Sequence, residues 1–104
     1  MNNLSKLLAT KKSKLIPRIG RSVVLADQKI ALFELSDGRV YAIEDYCPLT
    51  KGPVLEGIVS GEYLYEPMRE YKISLIDGKI QEPDDGQVKT YPVEIVEDDI
   101  YIEV

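Results

Sequence analysis

Two short stretches of this chain gather the residue types that could do chemistry. One is Cys47-Pro48-Leu49 and the other is Glu66-Pro67-Met68-Arg69, with the sixteen residues Thr50 through Tyr65 between them. Cys47 is the only thiol in the chain. A lone thiolate without imidazole or thiolate partners makes a poor metal site. Glu66 offers hard carboxylate oxygens, Arg69 is a permanent cation that does not ligate, and Leu49 has no donor atom. Nucleophilic catalysis by Cys47 would need a base, or a cation close enough to favour the thiolate. Arg69 is the candidate cation, but the chain contains no histidine to shuttle a proton. Packing as a small apolar residue is the simpler role for Cys47. Nothing else in the sequence forms a defensible carboxylate pair or a phosphate-binding glycine loop, so catalysis by this chain alone is the least supported reading.

The elements that must position these stretches read as strands. Ser22–Ala26 and Lys29–Leu35 are rich in Val, Leu, Ile and Phe, with Asp27-Gln28 between them as a hairpin turn. Ser36-Asp37-Gly38 separates the second run from Arg39–Ile43, and Asp77-Gly78 separates Lys72–Ile76 from Lys79–Gln81. Asp-Gly is a strong hairpin signal because glycine takes the positive φ the turn needs. A last hairpin is expected from Val88–Val96 to Ile100–Val104 through Glu97-Asp98-Asp99, with Ile100, Ile102 and Val104 on one face. Leu4, Leu7, Leu8 and Lys11 have helical spacing, although Leu4–Leu8 equally suits a first strand. Pro48–Gly61 holds three glycines and two prolines in fourteen residues and reads as loop. The expected architecture is all-β, a sandwich or barrel carrying a loop-rich insert at 44–76 within one domain, 1–104.

Composition narrows the function. With 104 residues and 44% apolar content the chain can build one real core. The net charge of −5 argues against a nucleic-acid or anionic-membrane binder, both of which need a basic footprint. Basic residues do cluster early, at Lys6, Lys11, Lys12, Lys14, Arg18 and Arg21, where alternation with leucine and isoleucine suggests the exposed face of an edge element. One cysteine excludes an intramolecular disulfide, the first fifteen residues lack a continuous apolar run, and no segment is long enough to span a bilayer. A cytoplasmic protein is the default expectation.

The segments VYAIEDYCPLTKGPVLEG and YLYEPMREYKISLIDGKI resemble the Rieske-like superfamily over nearly the whole chain. The matching features are the Ala42-Ile43 lead-in, Cys47-Pro48, Gly52-Pro53, Gly57, Pro67 and the turn at Gly78. Iron-binding members carry Cys-x-His and Cys-x-x-His, which hold a two-iron, two-sulfur cluster. The corresponding positions here are Cys47, Leu49, Glu66 and Arg69, so only one of four ligands is kept. Within the superfamily the chain resembles the small subunits of assimilatory NAD(P)H-dependent nitrite reductases, many of which lack the cluster. That resemblance implies a Rieske-like fold, no catalytic, metal or cofactor residue in this chain, and a large-subunit partner. Flavin, an iron–sulfur cluster and sirohaem, which reduce nitrite to ammonium, would all belong to that partner.

A cluster also ties its two loops together, so its absence calls for a substitute. Leu49, Pro48, Pro67 and Met68 are expected to form an apolar bridge, with an ion pair between Glu66 and Arg69 contributing only about 0–1 kcal/mol. On that view Leu49→Asp is the damaging substitution and Glu66→Gln the mild one. Seven tyrosines and no tryptophan suit pleated strands, and Tyr46 and Tyr71, beside the two loops, are the candidates for partner contact with Arg69 and Glu70 at the rim. Three assignments follow: an accessory oxidoreductase subunit without a cluster, for nitrite or for another substrate; an independent electron-transfer ferredoxin, which the ligand inventory opposes; and an unrelated small β-barrel interaction module.

Overall fold

The computed structural model describes residues 5–104. The strands are β1 (Lys6–Lys11), β2 (Arg21–Leu25), β3 (Gln28–Glu34), β4 (Val40–Glu44), β5 (Ile58–Ser60), β6 (Tyr63–Tyr65), β7 (Lys72–Ser74), β8 (Thr90–Tyr91), β9 (Val93–Val96) and β10 (Asp99–Glu103). A single 3₁₀ turn at Lys12–Lys14 is the only helical element among the described residues. All pairings are antiparallel and form three sheets, ordered β1-β10-β9, β2-β3-β4-β8 and β5-β6-β7. The chain is all-β, as its turn signals led one to expect.

The four-stranded sheet is the middle layer. On β3, Ile30 and Leu32 face a core shared with Ile100 and Ile102 of the β1-β10-β9 sheet. Ala31 and Phe33 face the opposite core, shared with Val54, Val59, Leu64 and Ile73 of the insert. A strand buried on both faces reads as an unbroken apolar run, which is why Ile30–Phe33 shows no alternation. Each large side chain so buried contributes about 1.5–3 kcal/mol of transfer free energy. The final strand has the expected alternation, with Ile100 and Ile102 buried and Val104 packed beside them.

Several boundaries differ from expectation, each for a local reason. The first hairpin turns at Ala26-Asp27 rather than Asp27-Gln28, because both residues take positive φ (49° and 64°) and close a two-residue turn while Gln28 pairs with Leu25. Val88–Val96 is not one strand. Thr90 and Tyr91 pair with β4, then Pro92, which has no N–H to donate, releases the chain to pair with β10. Lys79–Gln81 makes only isolated bridges, Ile73 with Ile80 and Lys79 with Gln87. Pro48–Gly61 is not all loop, since Ile58–Ser60 forms the edge of the small sheet. The helical alternative for the N-terminal leucines fails at Leu7 and Leu8, which lie in β1, and Leu4 lies outside the described residues.

Candidate functional site

The two proline stretches lie in neighbouring loops, with Pro53 and Pro67 lining one hollow between them. The first follows β4. Asp45 accepts the N–H groups of Val54 (2.8 Å) and Leu55 (3.0 Å) on one carboxylate oxygen, closing the loop at its base. Above it, the Cys47 N–H donates to the Gly52 carbonyl (2.8 Å) and the Lys51 N–H to the Cys47 carbonyl (2.7 Å). The Cys47 side chain points away from the tip into the core shared with Phe33 and Ile43. It is packing material, as the residue inventory suggested.

The second loop is organised by Glu66. Its side chain is fully buried, and its carboxylate accepts the backbone N–H groups of Met68 (2.9 Å), Arg69 and Tyr71 (3.4 Å). Its own N–H donates to the Tyr71 carbonyl (2.9 Å), and its carbonyl accepts from Glu70 (3.0 Å). A buried carboxylate needs such compensation, and a tight loop whose N–H groups point inward supplies it. Each group solves the other's desolvation.

This corrects the expected tie between the loops. Glu66 and Arg69 form no side-chain ion pair among the described residues; Glu66 bonds the Arg69 backbone instead. Leu49 and Met68 do not bury one another, being 43% and 66% exposed, and Pro48 and Pro67 are exposed too. One contact does join the loops: a methyl at Gly52 would lie 3.2 Å from the Met68 sulfur, so a side chain there would crowd Met68. Glu66 is therefore the sensitive residue and Leu49 the tolerant one. The sequence reading missed Asp45 and Glu66 as loop-holding groups. Asking where each loop's backbone N–H groups find acceptors would have raised both.

Of the proposed contact residues, Tyr46, Arg69 and Glu70 are exposed, whereas Tyr71 is half-buried against the core. Tyr46 also lines an open cleft of about 550 Å³ with Asp27, Lys29, Glu44 and Lys51. The surface is thus apolar at its crest and flanked by both signs of charge.

A model of the Rieske-like [2Fe-2S] domain family matches residues 8–103. The chain belongs to that family. Among solved structures, a candidate NADH-dependent nitrite reductase small subunit from Mycobacterium tuberculosis superposes with a TM-score of 0.91 at 26% identity, covering 99% of this chain and 97% of that one. The Escherichia coli protein NirD gives 0.86 at 20% identity, covering 97% of each chain. A Sphingomonas yanoikuyae B1 ferredoxin gives 0.85 at 20% identity, covering 96% of this chain and 99% of that one. By sequence, no curated protein matches. Membership excludes an unrelated barrel whose loops match by coincidence.

The family's description implies an iron–sulfur cluster, and the residues of this Rieske-like domain do not fit one. Cys47 faces the core, Leu49 has no donor, Arg69 is cationic, and the Glu66 carboxylate is occupied by three backbone N–H groups. No group of three or more His, Cys, Asp or Glu among the described residues is placed to hold a metal ion. Among the described residues no helix is long and apolar enough to cross a membrane.

Proposed function

We propose that this Rieske-like domain is an accessory subunit of a cytoplasmic NAD(P)H-dependent nitrite reductase, carrying no cofactor of its own. The nitrite chemistry, with flavin, iron–sulfur cluster and sirohaem, belongs to a large subunit, and the proline loops dock against it. The observation that carries this is Glu66. A buried carboxylate occupies a cluster-ligand position and holds the loop through its backbone, so the frame persists without the electron carrier. A frame kept rigid without its redox centre suits a role in binding rather than electron transfer. The likeness to nitrite reductase small subunits supports nitrite as the substrate of the complex.

Affinity purification of the tagged chain from its native cells, grown on nitrate or nitrite, tests this. The expected eluate holds a large flavin- and sirohaem-containing protein with NADH-dependent nitrite consumption that falls when this chain is omitted. An eluate without that partner overturns the assignment. Recovery of an oxygenase instead would move the chain to another oxidoreductase, the alternative favoured by its likeness to ferredoxins.

A further inference from the structure

Three cations and two isoleucines lie outside the roles described so far. Of the six basic residues clustered near the start of the chain, three are neutralised: Lys6 by Glu94 (2.9 Å), Lys11 by Asp99 (3.0 Å) and Lys12 by Glu34 (3.3 Å). Lys14, Arg18 and Arg21 have no carboxylate partner among the described residues. They bracket Ile16 and Ile19, which are 64% and 58% exposed.

The segment that displays them, Lys14–Arg21, is firmly mounted. Leu15 is buried in the core, and the Ile19 N–H closes a turn onto the Ile16 carbonyl (3.1 Å). Arg18 bonds in two directions, its N–H to the Glu34 carbonyl (2.7 Å) and its Nε to the Val59 carbonyl (3.2 Å), so it ties the central sheet to the insert. To do so it takes a φ of 69°, a conformation a non-glycine residue holds only where its surroundings enforce it. Gly20 lets the chain pass against Leu55, whose carbonyl oxygen would be 2.3 Å from a methyl there. Single exposed isoleucines are ordinary. Two on one anchored turn, among cations without a carboxylate partner, form a preorganised apolar and basic surface on a protein of net charge −5.

Its position points to the occupant. The groove beside the turn is lined by Arg18, Ile19, Leu55 and Glu56, and the hollow between the proline loops by Asp45, Pro53, Leu55, Glu56 and Pro67. Leu55 and Glu56 belong to both, so one partner lying over the proline loops also meets the turn. We propose that Lys14–Arg21 is a second docking element, seating Ile16 and Ile19 in an apolar socket bordered by carboxylates on the same large subunit. This rests on the accessory-subunit assignment above.

The test is the dissociation constant of the purified large subunit for wild-type chain and three double variants, at low and high salt. The pair Ile16→Ser with Ile19→Ser weakens binding about tenfold or more. The pair Lys14→Glu with Arg21→Glu weakens it most at low salt and flattens its salt dependence. All four side chains are exposed, so unchanged melting curves certify folding. No binding by the wild type removes the accessory assignment and the docking element together. Wild-type binding that both pairs retain in full, while Leu49→Asp with Met68→Asp weakens it, overturns the docking element alone. Loss of binding to phosphatidylglycerol vesicles, with large-subunit affinity intact, overturns it in favour of a lipid surface.

Discussion

At the scale of single residues, the second proline loop is organised by one buried carboxylate, Glu66. Glu66 accepts three backbone N–H groups in a fully buried site, and glutamine offers one carbonyl oxygen and a donor that opposes those N–H groups. Glu66→Gln is therefore expected to destabilise by about 1.5–3 kcal/mol, the range for hydrogen bonds to a charged group. Leu49→Asp, on an exposed tip, should stay within about 0.5 kcal/mol. Thermal unfolding of the two variants checks the ranking, and equal losses would refute it. A second residue-scale expectation concerns acid. Asp98 accepts the Ser13 hydroxyl (2.7 Å) and N–H (2.9 Å), and those bonds hold its carboxyl below the ordinary 3.8. A carboxylate depressed in the folded state stabilises above its ordinary pKa, and that contribution disappears as pH falls through the folded value. Melting temperatures should fall on acidification below about pH 4, and Asp98→Asn should make that fall shallower.

At the scale of elements, the sheets depend on turns of unequal quality. Ala26-Asp27 joins β2 to β3 with two non-glycine residues at positive φ, where Asn-Gly is the favoured pair. Ala26→Asn with Asp27→Gly should stabilise by about 1 kcal/mol, read as a melting increase of roughly 4–8 °C. The turn at Gly78 has no such slack. Its φ is 79°, and a methyl there would lie 1.9 Å from the Val88 carbonyl oxygen. Gly78→Ala should cost more than about 2 kcal/mol, and a variant that melts with the wild type would show that this crossing can relax. Turn chemistry was legible because it is local: Asp37-Gly38 falls between β3 and β4, and Asp77-Gly78 forms a turn after β7. The Pro92 switch was not, since a strand changes sheets only because two different partners wait on either side of it.

At the scale of the whole molecule, the central sheet is buried on both faces, so insert and base share a core and hold each other in place. That arrangement predicts stability independent of metal. The purified chain should lack the visible absorption of an iron–sulfur protein, and a chelator should leave its melting unchanged. A melting point that drops with chelator would mean that a bound ion, and not Glu66, closes the loop.

The amino-acid sequence by itself determined the strand content and the absence of histidine, because periodicity, turn residues and donor atoms are properties of local chain chemistry, and the Rieske-like frame was legible in it as a resemblance. Only the tertiary structure decided how the second proline loop is held and which charges pair. Glu66 could be assigned only once its loop folded over it, and Lys6 and Lys11 were neutralised by carboxylates 88 positions away. Such pairings depend on which strands lie side by side, and burial rather than residue type sets how much each one matters.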